Sequence, residues 1–68
     1  MTSILDLFIH DPVANRVRTV TIQYVRNSYS RAVICDMKIQ GYGNAALGYL
    51  KAEARRIFYW LEETGDLE

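Results

Sequence analysis

The side chains that most often carry chemistry are few and scattered in this chain. The one histidine, His10, stands apart from the one cysteine, Cys35, and zinc needs three or four protein ligands. The carboxylates Glu53, Glu62 and Glu63 share a stretch with two arginines, which leaves no isolated acid and base pair. We therefore predict no catalytic residue, no metal and no cofactor, and a protein that is not an enzyme.

A glycine-rich segment at 41–44, GYGN, precedes a helical pattern and could hold a phosphate at a helix N-terminus. The strand before it belongs to a hairpin rather than a parallel βαβ unit, and no Lys-Ser or Lys-Thr pair follows. We interpret the segment as a sharp turn out of a sheet, with Asn44 as the helix N-cap.

Charge is balanced over the 68 residues but unevenly placed. Residues 1–12 carry a net −2, residues 13–52 a net +5 and residues 53–68 a net −3. The charged side chains of such a basic segment either keep the surface of a sheet hydrated or bind a polyanion or an acidic protein. As an alternative function, we predict a nucleic-acid surface made of Arg16, Arg18, Arg26, Arg31 and Lys38.

The segment at 16–40, RVRTVTIQYVRNSYSRAVICDMKIQ, is typical of a β-hairpin. With Asn27 and Ser28 as the loop, Arg26 faces Tyr29 and apolar residues of both strands share one face. We predict that the core side of the sheet contains Val20, Ile22, Tyr24, Val33, Cys35, Met37 and Ile39.

An earlier strand over 3–10 alternates in polarity and is ended by Asp11 and Pro12. Short connections join neighbours, which favours pairing with the first hairpin strand, although pairing with the second is also open. From Ala45 to Thr64 the pattern becomes helical and Gly65 is the natural stop. We predict one domain over 1–68 of class α+β, a three-stranded antiparallel sheet of order 1-2-3 with one C-terminal helix on one face (β-β-β-α).

The helix has an apolar stripe, and several large side chains lie off it. The expected stripe contains Ala46, Leu47, Leu50, Ala54, Ile57, Phe58 and Leu61. Tyr, Trp and Arg are enriched at binding hot spots, and they recur here on one flank and opposite the stripe. We predict a protein-binding surface on the helix formed by Tyr49, Glu53, Arg56, Tyr59 and Trp60.

A single helix covers only one face of such a sheet. The other face is then expected to expose Phe8, Val17 and Ile34 together with Ile4, Val25 and Ala32, a larger apolar patch than a lone domain leaves open. We expect these residues to bind a protein partner, and a homodimer through this face is one form of it. The residues after Gly65 are too few to cover the patch.

Arg and Tyr alternate in RVRTVTIQYVRNSYSR, and two strands, a glycine turn and a helix follow one another. This order is similar to the later half of a double-stranded-RNA-binding domain. That family has lysines at the start of its final helix, whereas residues 44–50 contain none, and the family's first helix is replaced by a strand. No functional residue is carried over from the resemblance.

Composition and size set the functional expectation. A lone cysteine, no signal peptide and no long apolar run predict a cytoplasmic protein without membrane contact. We predict a small protein-binding module. Among phage and mobile-element proteins, chains of this size block host nucleoprotein machines by steric occupation, anti-CRISPR inhibitors included, and such an inhibitor is the more specific hypothesis.

Overall fold

The computed structural model describes residues 2–41 and 46–67. Its elements are β1 (Ser3–Asp11), β2 (Arg16–Arg26), β3 (Ala32–Ile39) and α1 (Leu47–Thr64). The strands form one antiparallel sheet in the order β1-β2-β3, and α1 packs on one face. The predicted class and strand order are thereby confirmed. The proposed N-cap Asn44 and helix start at Ala45 lie outside the described residues.

The β1–β2 hairpin is regular from end to end. Nine consecutive pairs run from Ser3 with Tyr24 to Asp11 with Arg16, with no shift in register. The four turn residues at 12–15 end in Asn15, which adopts a φ of 52°. The predicted alternation along β1 is confirmed, because its odd-numbered side chains face the helix and its even-numbered ones are exposed.

The β2–β3 pairing differs from the prediction. Arg26 pairs with Ala32 rather than Tyr29, so five residues form the loop. The Asn27 side-chain oxygen accepts hydrogen bonds from the backbone N–H groups of Tyr29 (2.9 Å) and Arg31 (3.0 Å), and this stabilises the longer loop. The resulting three-residue shift exchanges the faces of β3 near the loop.

A β-bulge at Cys35 then restores the original alternation. Gln23 pairs with Asp36 whereas the next residue, Tyr24, pairs with Ile34, so Cys35 is an extra residue in β3. Ala32 is buried and Ile34 is packed against the core, not on the open face as predicted. The predicted core positions Val33 and Cys35 are instead exposed.

The helix crosses the sheet diagonally. At its start the Ala46 N–H reaches Asp11 Oδ1 at the end of β1 (3.4 Å), and near its end Glu62 Oε1 accepts from the Ala32 N–H of β3 (3.1 Å). Between these points Leu50, Ala54 and Phe58 are fully buried. Leu47, predicted within the stripe, is 52% exposed.

The core lies between α1 and the middle of the sheet. The Phe58 ring packs edge-on against Tyr24 with centroids 5.3 Å apart, an arrangement that aromatic pairs favour. The buried apolar residues are Ile9, Val20, Ile22, Tyr24, Ala32, Leu50, Ala54, Phe58 and Leu67.

The helix ends at Gly65 as predicted. Gly65 has a φ of 78°, its N–H donates to the Glu62 carbonyl (3.3 Å), and the Asp66 N–H donates to the Leu61 carbonyl (3.0 Å). This Schellman arrangement turns the chain back, so that Leu67 is buried in the core. The tail thus covers part of the helix-side core, and Phe8 and Val17 on the open sheet face stay exposed.

No helix among the described residues is long and apolar enough to cross a membrane.

Candidate functional site

Two of the five arginine and lysine residues predicted to bind nucleic acid have structural contacts. Arg18 is buried, and its Nε donates to Asp11 Oδ2 at 2.7 Å, with 2% and 0% of the two side chains exposed. Its guanidinium also lies over Gly41 (φ 114°), where a Cβ would collide with it. Arg18 therefore presents no charged surface to a partner.

The Asp11 carboxylate is the centre of this buried contact. Burial opposes its charge, but hydrogen bonds from the Arg18 guanidinium and from the backbone N–H groups of Val13, Ala14 and Ala46 outweigh that effect and lower the pKa of Asp11 to about 2. Asp11 thereby joins the β1–β2 turn, the middle of the sheet and the start of α1.

Arg26 forms the contacts that join strand, loop and helix at the opposite end of the molecule. Its Nη1 donates to the Ser30 carbonyl (2.8 Å) and to Glu62 Oε2 (3.2 Å), while its Nη2 donates to the Leu67 carbonyl (3.0 Å). Glu62 also accepts from the Ala32 N–H, so it ties the end of α1 to both strands of the second hairpin.

The remaining basic residues of the hairpin do not form one surface. Arg16 and Arg31 are exposed at opposite ends of the sheet, and the eleven residues of β2 extend over about 33 Å. Lys38 is exposed on the open sheet face, opposite Thr21. The five residues are thus separated into two structural contacts and three dispersed charges.

The predicted helix flank is a continuous exposed ridge, here called the helix ridge and defined as Tyr49, Glu53, Arg56 and Trp60. The Glu53 carboxylate accepts two hydrogen bonds from Arg56, from Nε at 3.2 Å and from Nη2 at 2.8 Å. Hydrogen bonding from Arg56 lowers the pKa of Glu53. The hydrogen bond to Glu53 and the negative charge of that carboxylate raise the pKa of Arg56.

Exposure distinguishes the helix ridge from the core. Trp60 is 58% exposed and Tyr49 48% exposed, whereas Glu53 is half-buried beneath Arg56. The ridge thus places one aromatic side chain on each side of Arg56. A bidentate ion pair with Glu53 already orients this arginine. An arrangement of this kind can bind a carboxylate, an aromatic ring or an apolar side chain.

Tyr59 lies apart from the helix ridge, and instead of facing only solvent opposite the stripe as predicted, it lies beside the start of β3. Its ring contacts Phe58 edge-on at a centroid distance of 5.2 Å and is 45% exposed. It borders an open groove of about 390 Å³ between the end of α1 and the start of β3. The groove lining includes Arg31, Val33 and Glu63.

The open sheet face retains part of its predicted apolar character. Phe8 is 73% exposed, and Ile4 and Val17 are also exposed, whereas Ile34 lies on the covered side. Polar contacts occupy the middle of the face, where Thr21 Oγ1 donates to Asp6 Oδ1 (2.6 Å) and Gln40 Nε2 donates to Thr21 Oγ1 (3.2 Å). The face is therefore mixed, with its largest apolar side chains on β1.

The sequence prediction missed Asp11, Glu62 and Leu67 as contacts that hold the fold together. One available signal was alternation, because Arg18 and Arg26 share a strand face with Val20, Ile22 and Tyr24. Arginines on the core face of a strand need acidic partners, and Asp11 at the end of the neighbouring strand was suitably placed. Nothing in the sequence indicated that Leu67 would fold back.

Comparisons with protein-family models, with curated proteins and with solved structures find no match to this chain.

Proposed function

We propose that this chain is a non-catalytic protein-binding module that docks through the helix ridge. The observation that carries the proposal is the ion pair between Glu53 and Arg56, set between the exposed rings of Tyr49 and Trp60. Arg, Tyr and Trp dominate binding energy at protein interfaces.

Orientation of Arg56 before binding supports this role. A long side chain that becomes ordered only on binding loses conformational freedom at a cost of about 0.5–1.5 kcal/mol. Arg56 is already held by Glu53, so a smaller share of that cost falls on association. The helix ridge also contributes little to the core, because the fully buried helix residues are Leu50, Ala54 and Phe58.

Two further expectations, on location and on the class of partner, accompany the proposal. We propose a cytoplasmic location, which the lone unpaired Cys35 favours, since reducing compartments keep thiols free. Inhibition of a host nucleoprotein machine by steric occupation remains a hypothesis from chain size, and it supplies one class of partner to seek.

The test compares two double variants of the full tagged chain. Arg56→Glu with Trp60→Ala reverses the charge and removes the largest ring of the helix ridge. Lys51→Glu with Tyr29→Ala is the matched control, because it reverses one exposed helix charge and removes one exposed ring elsewhere. Proteins captured from the cells of origin are quantified by mass spectrometry, and thermal unfolding verifies folding.

We expect the ridge variant to lose its specific partner at least tenfold while the control retains it. Equal recovery by the wild type, the ridge variant and the control would contradict the assignment of the helix ridge.

Nucleic-acid binding is the alternative function, and light scattering measures it directly. The solution mass is recorded with short duplex RNA or DNA at low and at moderate salt. The proposal predicts that adding the duplex leaves the measured mass of the protein unchanged. A salt-sensitive increase in mass would favour the alternative, with Arg16, Arg31 and Lys38 as the exposed contacts.

A further inference from the structure

The sheet has two outer edges, and β3 carries more features that prevent pairing than β1 does. Along β3 the bulge at Cys35 interrupts the ladder, Asp36 and Lys38 add charges, and Glu62 binds the N–H of Ala32. Bulges, charged side chains and covering groups are the devices by which edge strands avoid joining other chains.

The β1 edge has fewer of these features: it carries the exposed carboxylate of Asp6 but no bulge. It has nine residues in unbroken register with β2, and it contains no Lys, Arg or Pro between Ser3 and Asp11. Both of its faces offer apolar side chains. Ile4 and Phe8 are exposed on the open face, and Leu5 and Leu7 are only half-buried on the helix side. A long, regular, apolar edge is a template for another strand.

The backbone of β1 is oriented to accept such a strand. Because the Thr19 carbonyl accepts from the Gln40 N–H (3.0 Å), the backbone groups of Thr19 point toward β3. Phe8 is paired with Thr19, so its own N–H and C=O groups point away from β2. Every second residue repeats this direction. The outward-pointing residues of β1 are Ile4, Asp6, Phe8 and His10.

The geometry points to a second copy of this chain as the occupant, with β1 pairing antiparallel to β1 across a two-fold axis at Leu7. All nine residues then pair, and the four outward-pointing residues of each copy form about eight main-chain hydrogen bonds. The two three-stranded sheets become one six-stranded sheet with both helices on the same side.

Apolar burial favours this occupant over an unrelated strand. The helix covers the Asp11 end of β1 and leaves Leu5 and Leu7 near the other end half-exposed. In the two-fold pairing Leu5 lies against Ile9 of the second copy, beneath that copy's helix start. Leu47, exposed in the first helical turn, is then placed to cover it. Each copy therefore covers the apolar side chains that the other leaves open.

Charge selects the register. With Leu7 on the axis, Asp6 faces Phe8 of the second copy and lies diagonal to both His10 and Asp6 of that copy, so no like charges are directly opposite each other. Moving the axis to Asp6 would set two carboxylates against each other. Moving it to Phe8 would leave Ser3 and Ile4 without partners.

The first test compares two substitutions at one position, with masses measured by light scattering over a concentration series. Phe8→Pro removes an outward N–H without breaking the ladder to β2, because proline is tolerated where the N–H faces solvent. Phe8→Ala removes the ring and keeps the N–H. Circular dichroism verifies folding of both variants.

We expect the wild type and Phe8→Ala to reach twice the chain mass of 7.9 kDa, and Phe8→Pro to stay at the single-chain mass. A monomeric wild type at several hundred micromolar would overturn the inference. So would loss of the dimer in Phe8→Ala as well, since that result would assign dimerisation to the open sheet face.

The second test does not depend on a proline substitution, and it also shows which residues of the two β1 strands are paired. In a Cys35→Ser background, Leu7→Cys places one thiol on the axis, at a position where opposed Cα atoms are about 4.5 Å apart. Ile4→Cys is the matched control, because two such thiols would lie about 20 Å apart.

Mild oxidation should cross-link Leu7→Cys into a covalent dimer at least tenfold faster than Ile4→Cys. Equal rates would overturn the inference. Both tests use the purified chain alone, so failure here and failure of the helix ridge to capture a partner are distinguishable.

Discussion

The ion pairs at the two ends of the helix and the ion pair on its exposed flank use the same chemistry for different purposes. Asp11 with Arg18 and Glu62 with Arg26 join α1 to the sheet, and each acid also binds backbone N–H groups. The hydrogen bonds between Glu53 and Arg56 join neighbouring turns of the helix. Accessory backbone contacts, rather than the pairing of charges, therefore distinguish a structural ion pair from an exposed one.

The largest expected effect is that of Asp11→Ala. It leaves the buried Arg18 guanidinium without its carboxylate and removes the acceptor for the N–H groups of Val13 and Ala46. For a domain of this size we expect the Tm to fall on the order of 15 °C or more, measured by circular dichroism. A fall no larger than that of Glu53→Ala would remove the distinction between the two kinds of pair.

The two kinds of ion pair should also differ in how much stability the protein loses at acidic pH. The pKa of Asp11 is about 2 in the folded protein against an ordinary value of 3.8, so its contribution to stability is fully present above about pH 4 and is lost as the pH falls toward 2. The Tm should therefore drop over this window. Glu53→Gln should leave most of the drop in place, because the ion pair of Glu53 with Arg56 lies on the exposed side of the helix and joins only neighbouring turns. A flat profile between pH 4 and 2 would contradict the role of Asp11.

A smaller loss of folding stability is expected for Glu62→Ala. Arg26 is partly solvated, so losing its partner costs less than at Asp11, but the Ala32 N–H also loses its acceptor. We expect a decrease in the free energy of unfolding of about 1–2 kcal/mol in urea titrations. Glu62→Gln keeps an acceptor for Ala32 and should lose less. Identical losses would assign the whole effect to the charge.

The smallest effect on stability is expected on the helix ridge. Arg56→Glu with Trp60→Ala changes exposed side chains, so the Tm should stay within about 3 °C of the wild type. A fall comparable to that of Glu62→Ala would show that the ridge supports the fold.

The sequence predicted the fold well because alternation in β1 and the helical stripe of α1 reflect real burial. It failed at β3, where the Asn27 loop moved the register and the Cys35 bulge moved it again. Neither feature has a signature in polarity alone, since Val33 and Ile34 are equally apolar. The candidate site was predictable on the helix ridge, where spacing sets which side chains share a flank, whereas the contact of Arg26 depends on Glu62, an acid distant in sequence.

Contact between the helix ridge and a protein partner can be detected by site-specific photo-cross-linking. Benzoylphenylalanine replaces Trp60 in one full-length chain and Tyr29, exposed at the tip of the second hairpin, in another. Irradiation in the cells of origin should yield a discrete protein adduct from position 60 and none from position 29. No adduct from position 60, or the same adducts from both positions, would contradict the account.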